Sequence, residues 1–98
     1  MYKFQRQDAG LAVLELEDEA LLLDRESNQI HQLNRTASFI WRQCVVPASH
    51  EEIWRSLVET FDVSPNVAVR DVADTLERLQ GLSLISRVEI DELGRDRP

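Results

Sequence analysis

The chain has 98 residues, 43% hydrophobic and 30% charged, with 11 Lys plus Arg against 18 Asp plus Glu and a formal net charge of −7. That length suits one domain burying about two-thirds of its unfolded surface in a single core, and the lone Cys44 excludes an internal disulfide framework or a multi-cysteine zinc site. No apolar run approaches the ~20 residues of a membrane helix, no apolar h-region follows Met1 as in a secretory signal, and the acidic balance argues against duplex DNA, so the expectation is a soluble, cytoplasmic, acidic domain.

Residues 1–10 are polar, carry Gly10 and read as a loose lead-in with room for a short strand. Leu11 to Leu16 alternate, with Leu14 and Leu16 on one side and Val13 and Glu15 on the other. That is the period of two of a half-buried strand. Asp18-Glu19 is a polar break. Ala20-Leu21-Leu22-Leu23-Asp24 is too short for a helix and reads as a strand buried on both faces, or nearly so. Arg25-Glu26-Ser27-Asn28 makes the next turn, with Asn28 suited to a left-handed conformation. Gln29-Ile30-His31-Gln32-Leu33 reads as a third strand, antiparallel to the second, and its polar positions suit an edge. Three runs this close in sequence form a meander most simply.

The period changes at Asn34, a good helix N-cap. Ala37, Ile40, Trp41 and Cys44 follow the i, i+3, i+4, i+7 spacing of an amphipathic helix over 36–45, which Pro47 stops. Ser49 caps a second helix, and Ser49 with Glu52 has capping-box spacing. Its apolar stripe is Ile53, Trp54, Leu57, Val58 and Phe61. Ser64 caps a third helix with Pro65 at its first position, where the missing N–H is harmless. Val69, Val72, Leu76 and Leu79 form the stripe, and Gly81 ends it. Leu84, Ile85, Val88 and Ile90 offer one more short strand.

Strands followed by helices read as α+β. The architecture expected is a small winged helix-turn-helix, a three-stranded antiparallel sheet followed by three helices. The domain spans 11–90, between the lead-in of 1–10 and a flexible, charged tail of 91–98.

At this point the chain resembles a known family. The run Ala20-Leu21-Leu22-Leu23-Asp24, then His31-Gln32-Leu33-Asn34, Ala37 and Ile40-Trp41, is similar to the PqqD-like pattern. Ile53, Leu57 and Phe61-Asp62-Val63 resemble its middle segment. Asp71-Val72 and Leu76-Leu79-Leu82-Leu84-Ile85 resemble its ending. The similarity spans roughly 11–87. The resemblance implies a precursor-peptide recognition element that does no chemistry and needs no cofactor. Such a domain holds the leader of a ribosomally made precursor and presents it to a modifying enzyme, radical SAM or peptidase-like. In the family the leader adds as a strand beside the third strand and packs into the groove against the third helix.

The peptide-binding residues expected on that basis are Gln29, Ile30, His31, Gln32 and Leu33 on the edge, and Asn66, Arg70, Ala73, Asp74 and Glu77 on the third helix. Strand addition needs free edge backbone and pockets for alternate side chains. Ile30 serves the groove if even positions face it, His31 and Leu33 if odd ones do, and a slip of one residue exchanges the sets. Asn66, Ala73 and Gln80 flank one side of the helix stripe, Val67, Asp71 and Arg78 the other, and one flank lines the groove.

Other residues have plainer readings. Trp41 and Trp54 are core, as is Cys44. His31 and His50 lack partners at metal-ligand spacing. No third group orients a Cys/His nucleophilic pair. Glu15-Glu17-Asp18-Glu19 is a solvated turn. Two other functions compete with the adaptor. A DNA-binding winged helix fits the fold, but Arg70 is offset by Asp71 and Asp74. An enzyme-docking subunit that binds no peptide is the other. The exposed edge also leaves room for an edge-paired or swapped homodimer.

Overall fold

The structure is a computed structural model that describes residues 1–90; the tail expected over 91–98 lies outside the described residues. Its elements in chain order are β1 (Tyr2–Arg6), β2 (Leu11–Leu16), β3 (Glu19–Asp24), β4 (Gln29–Leu33), α1 (Arg35–Gln43), α2 (His50–Thr60), α3 (Pro65–Gly81) and β5 (Ile85–Glu89). β2, β3 and β4 form the expected antiparallel meander, followed by three helices, an α+β fold. The lead-in is not loose. β1 pairs antiparallel with β5, Tyr2 opposite Glu89 and Arg6 opposite Ile85. Two short polar segments far apart in sequence carry no local sign that they pair, so only the fold could reveal this.

The helices begin where side-chain chemistry starts them. Asn34 Oδ1 accepts from the Ala37 N–H at 2.9 Å. Ser49 and Glu52 form a complete capping box, and Ser64 Oγ accepts from the Val67 N–H. Each cap satisfies amides that lack a partner in the first turn. The exit from α3 departs from expectation. Gly81 remains helical, and Ser83 takes the left-handed turn at φ +61°. Leu84 N–H bonds back to Leu79 O and Ser83 N–H to Gln80 O, a Schellman pattern with buried Leu79 and Leu84 packed at its base.

The core lies between the inner face of the β2–β3–β4 sheet and the helices. Ala20, Leu22 and Leu33 enter it from the sheet, Ile40, Trp41 and Cys44 from α1, and Val72, Leu76 and Leu79 from α3. Trp41 is fully buried; its Nε1–H donates to Leu84 O at 3.2 Å, and Arg6 lies over its ring. That contact joins α1, β1 and the chain leaving α3. Trp54, expected in the core, is only half-buried under Arg55. β3 buries one face fully and the other partly, less than expected. β2 departs further: Leu14 and Leu16 are 56% and 47% exposed. Their register opposite Leu21 and Glu19 places them on the face away from the helices.

A left-handed Ser83 costs about 1–2 kcal/mol, whereas glycine there loses about 0.5–1 kcal/mol to unfolded-chain entropy. Ser83→Gly is therefore expected to raise the thermal midpoint by about 2–4 °C. A lower midpoint would mean that the Ser83 side chain itself holds the turn.

Candidate functional site

The sheet order β2-β3-β4 leaves one side of β4 without a strand partner among the described residues. One hydrogen bond reveals which backbone groups lie on that side. The Arg25 N–H donates to Gly10 O at 2.9 Å, toward β2. Successive strand residues turn their N–H and C=O to opposite neighbours. Leu23 and Leu21 therefore bond toward β2, and Asp24, Leu22 and Ala20 toward β4. Their register partners Gln29, His31 and Leu33 bond back to β3. Ile30 and Gln32 turn their backbone groups outward. Leu11 obeys the same alternation: its N–H turns away from β3 and donates to Asp8 O.

The pleat sorts the side chains. Leu33 and His31 share the inner face with Leu22; Leu33 is 2% exposed and His31 half-buried. Ile30, 68% exposed, and Gln32 face outward, away from the helices. The odd positions therefore face the helices, and Leu33, named for the peptide, is a core residue.

Both ends of β4 are clamped. At its start, Asp24 Oδ1 accepts from the Glu26 N–H at 3.0 Å and the Ser27 N–H at 3.4 Å, and Asn28 is left-handed as the turn requires. The Ser27 hydroxyl, then the Glu26 N–H, hold the Asp24 carboxyl below its ordinary value near 3.8. At its end, buried Ser38 donates from Oγ to Leu33 O at 2.9 Å while Asn34 caps α1.

α3 meets the residues that precede and follow β4 at two clefts. Near the Leu33 end, Asp71, Asp74, Thr75 and Arg78 line a cleft of about 240 Å³ with Asn34 and Thr36. At the C-terminal end of α3, Gln80 meets Leu11, Asp24, Glu26, Ile85 and Arg87 around a cleft of about 630 Å³, and it also lines the cleft of Ala73 and Glu77. Asp74 thus shares a cleft with Asn34, the residue that follows β4. Ala73 and Glu77 do not: they line a cleft of about 400 Å³ on the opposite flank, with Tyr2, Phe4, His50 and Arg87. The 100° helical step puts Asn66 on that flank too, and Arg70 between the flanks in solvent. Asp71, Thr75 and Arg78 line the same cleft as Asp74. An apolar stripe is symmetric about its centre, so periodicity defines the core side of α3 and leaves its two flanks equivalent.

The cleft beside β4 carries two carboxylates against one guanidinium, a bias toward cationic or amide-rich segments. Among the described residues no group of three or more His, Cys, Asp or Glu is placed to hold a metal ion. Burial pushes the Cys44 thiol up to about 12 despite nearby Arg6, so it is not a nucleophile at neutral pH. His50 is half-buried with Nε2 3.0 Å from Val69 O.

The family described as coenzyme PQQ synthesis protein D (PqqD) matches residues 19–85. No curated protein matches the chain. Two solved structures share its fold. One is TbiB1 in complex with the TbiA(beta) leader peptide, 23% identical, with a TM-score of 0.73, covering 84% of this chain and 94% of that one. The other is a lasso peptide synthetase B1 complexed with the leader peptide, 24% identical, with a TM-score of 0.73, covering 86% of this chain and 98% of that one.

Because Asp24 is more acidic folded than unfolded, its turn is stabilised above the ordinary carboxylate value and loosens as pH falls through the lowered one. The Glu26 and Ser27 amide shifts are expected to titrate together with a midpoint below 3.8. A midpoint at or above 3.8 would mean that the turn does not hold the carboxylate.

Proposed function

The chain belongs to the PqqD family, and from that we propose that it is a peptide-binding adaptor without chemistry of its own. It holds the leader of a ribosomally made precursor peptide and delivers it to a modifying enzyme. The observation that carries this reading is the open edge of β4, clamped at both ends, with a cleft between α3 and Asn34 just past its last residue. The leader peptides carried by the two structural neighbours support it. So does the extent of the match, which takes in nearly the whole length of those chains.

The leader adds as a fourth strand. The outward N–H and C=O groups of Ile30 and Gln32 bond it, and this sequence-independent pairing supplies affinity. Alternate leader side chains enter the cleft beside His31, Asp71, Asp74, Thr75 and Arg78, and these contacts supply selection. In this reading Gln29, His31, Gln32 and Asp74 contact the peptide. Asn66, Arg70, Ala73 and Glu77, on the far flank or in solvent, are released from that role. The two aspartates favour a leader with a basic or amide residue at that point, chiefly through register and on-rate. The reaction belongs to the partner, a radical SAM or peptidase-like enzyme, and the work is cytoplasmic. No helix of the described residues is long and apolar enough to cross a membrane.

Proline lacks the N–H that strand addition needs, yet an edge strand accepts it where that N–H faces outward. Each lost hydrogen bond is worth about 0.5–1.5 kcal/mol, more once the added strand is displaced. Ile30→Pro and Gln32→Pro are each expected to weaken binding of the captured precursor's leader about tenfold. Val13→Pro, on the opposite edge, should change it less than twofold. Titration of a labelled leader by fluorescence anisotropy checks this, with circular dichroism to confirm folding. Undiminished binding by both β4 variants would end the strand-addition mechanism.

A further inference from the structure

The β2–β3–β4 sheet has a second face that no helix covers among the described residues. Ala12, Leu23 and Ile30 form one cross-strand row on it, and Leu14 and Leu21 begin the next. Leu16 extends the apolar surface toward the β2–β3 hairpin. Leu14, Leu16 and Ile30 are 56%, 47% and 68% exposed. A cleft of about 250 Å³ opens among Ala12, Leu14, Leu21, Leu23 and Ile30. An antiparallel sheet with one face on the core ordinarily keeps the other polar. Here the helices occupy the inner face, so these leucines leave a contiguous apolar surface in water, the mark of an interaction site.

Resting on the adaptor reading, we infer that this outer face is the docking surface for the modifying enzyme, which inserts an apolar anchor flanked by basic residues. Area and charge select this occupant. Three strands about 4.8 Å apart and about 17 Å long present about 250 Å². A stable protein interface needs about 800 Å² per partner, so the face is too small for a lasting dimer, and two copies at −7 each repel. A leader strand added at β4 lies beside the face, not over it. A brief encounter centred on one buried anchor fits an adaptor that must also let go. Glu17 and Glu19 stand at the hairpin end of the face, where Glu15 is paired to Arg42 at 3.0 Å and Asp18 to Arg35 at 3.8 Å. Arg25 marks the other end. The acidic end, on a chain with net charge −7, fits Lys or Arg beside the partner's anchor.

The test uses the full chain, its precursor's leader peptide, and the modifying enzyme identified by capture and then purified. Leu14 is exposed, so Leu14→Asp should fold normally, with its thermal midpoint as the control. Leu14→Asp is expected to weaken enzyme binding at least tenfold and leave leader affinity within twofold. Glu17→Lys should slow enzyme association and flatten its salt dependence. Enzyme binding unchanged by Leu14→Asp, with normal leader binding, overturns the docking inference alone. Loss of leader binding in Leu14→Asp shows that the leader occupies the face. A wild-type dimer in sedimentation that Leu14→Asp dissociates shows that a second copy does. Failure of the wild type to bind any leader overturns the adaptor reading and, with it, this inference.

Discussion

Leu33 decides what β4 can offer. It is the last residue of the strand, opposite Ala20 in the register and almost wholly buried. A slip of one residue would put Gln32 in its place and turn Leu33 to water, a cost of about 1.5–3 kcal/mol for the leucine alone. With Leu33 held inward, every other feature of the edge follows. His31 faces the helices, Ile30 faces out, and the backbone groups of Ile30 and Gln32 are the ones left open. One apolar contact thus sets both the side-chain pattern and the hydrogen-bonding pattern of the edge.

An open edge is useful only if it is held in shape before its partner arrives, because ordering a strand on binding subtracts from affinity. Two local devices do this. The Asp24 turn fixes the entry to β4, and the Ser38 bond with the Asn34 cap fixes its exit. Neither touches the open side. The strand is therefore rigid along its length while its outer backbone stays available. Such an edge also invites aggregation. The chain's net charge of −7 opposes that.

α3 divides the molecule's surface in two. Its apolar stripe of Ala68, Val72, Leu76 and Leu79 seals the core. One flank borders Asn34 and Thr36, and the other faces the β1–β5 pair and His50. The three-stranded sheet is divided in the same way, with its inner face on the core, one edge open, and its outer face apolar. A chain of this size has little surface to share, and this arrangement keeps the open β4 edge, the outer sheet face and the second α3 cleft apart. None of the three surfaces brings together a metal-binding cluster or an activated nucleophile among the described residues.

Much of this was legible in the residues. The caps at Asn34, Ser49 and Ser64, the left-handed Asn28 and the three-stranded meander rest on contacts within a few positions of each other, and short-range patterns record such contacts. The PqqD resemblance carried the same local order as a whole. What tertiary structure decided is of another kind. It paired Tyr2–Arg6 with Ile85–Glu89, and beside that pair Gln7 Nε2 donates to Ser86 Oγ across 79 residues. It turned Leu14 and Leu16 outward, although their alternation equally suits a core-facing strand. It set the Asp71 and Arg78 flank of α3 against Asn34 and Thr36, and the Ala73 and Glu77 flank against Tyr2, Phe4 and His50. Periodicity states that a strand or helix has two sides, and only the elements packed against it decide which side meets protein and which meets water.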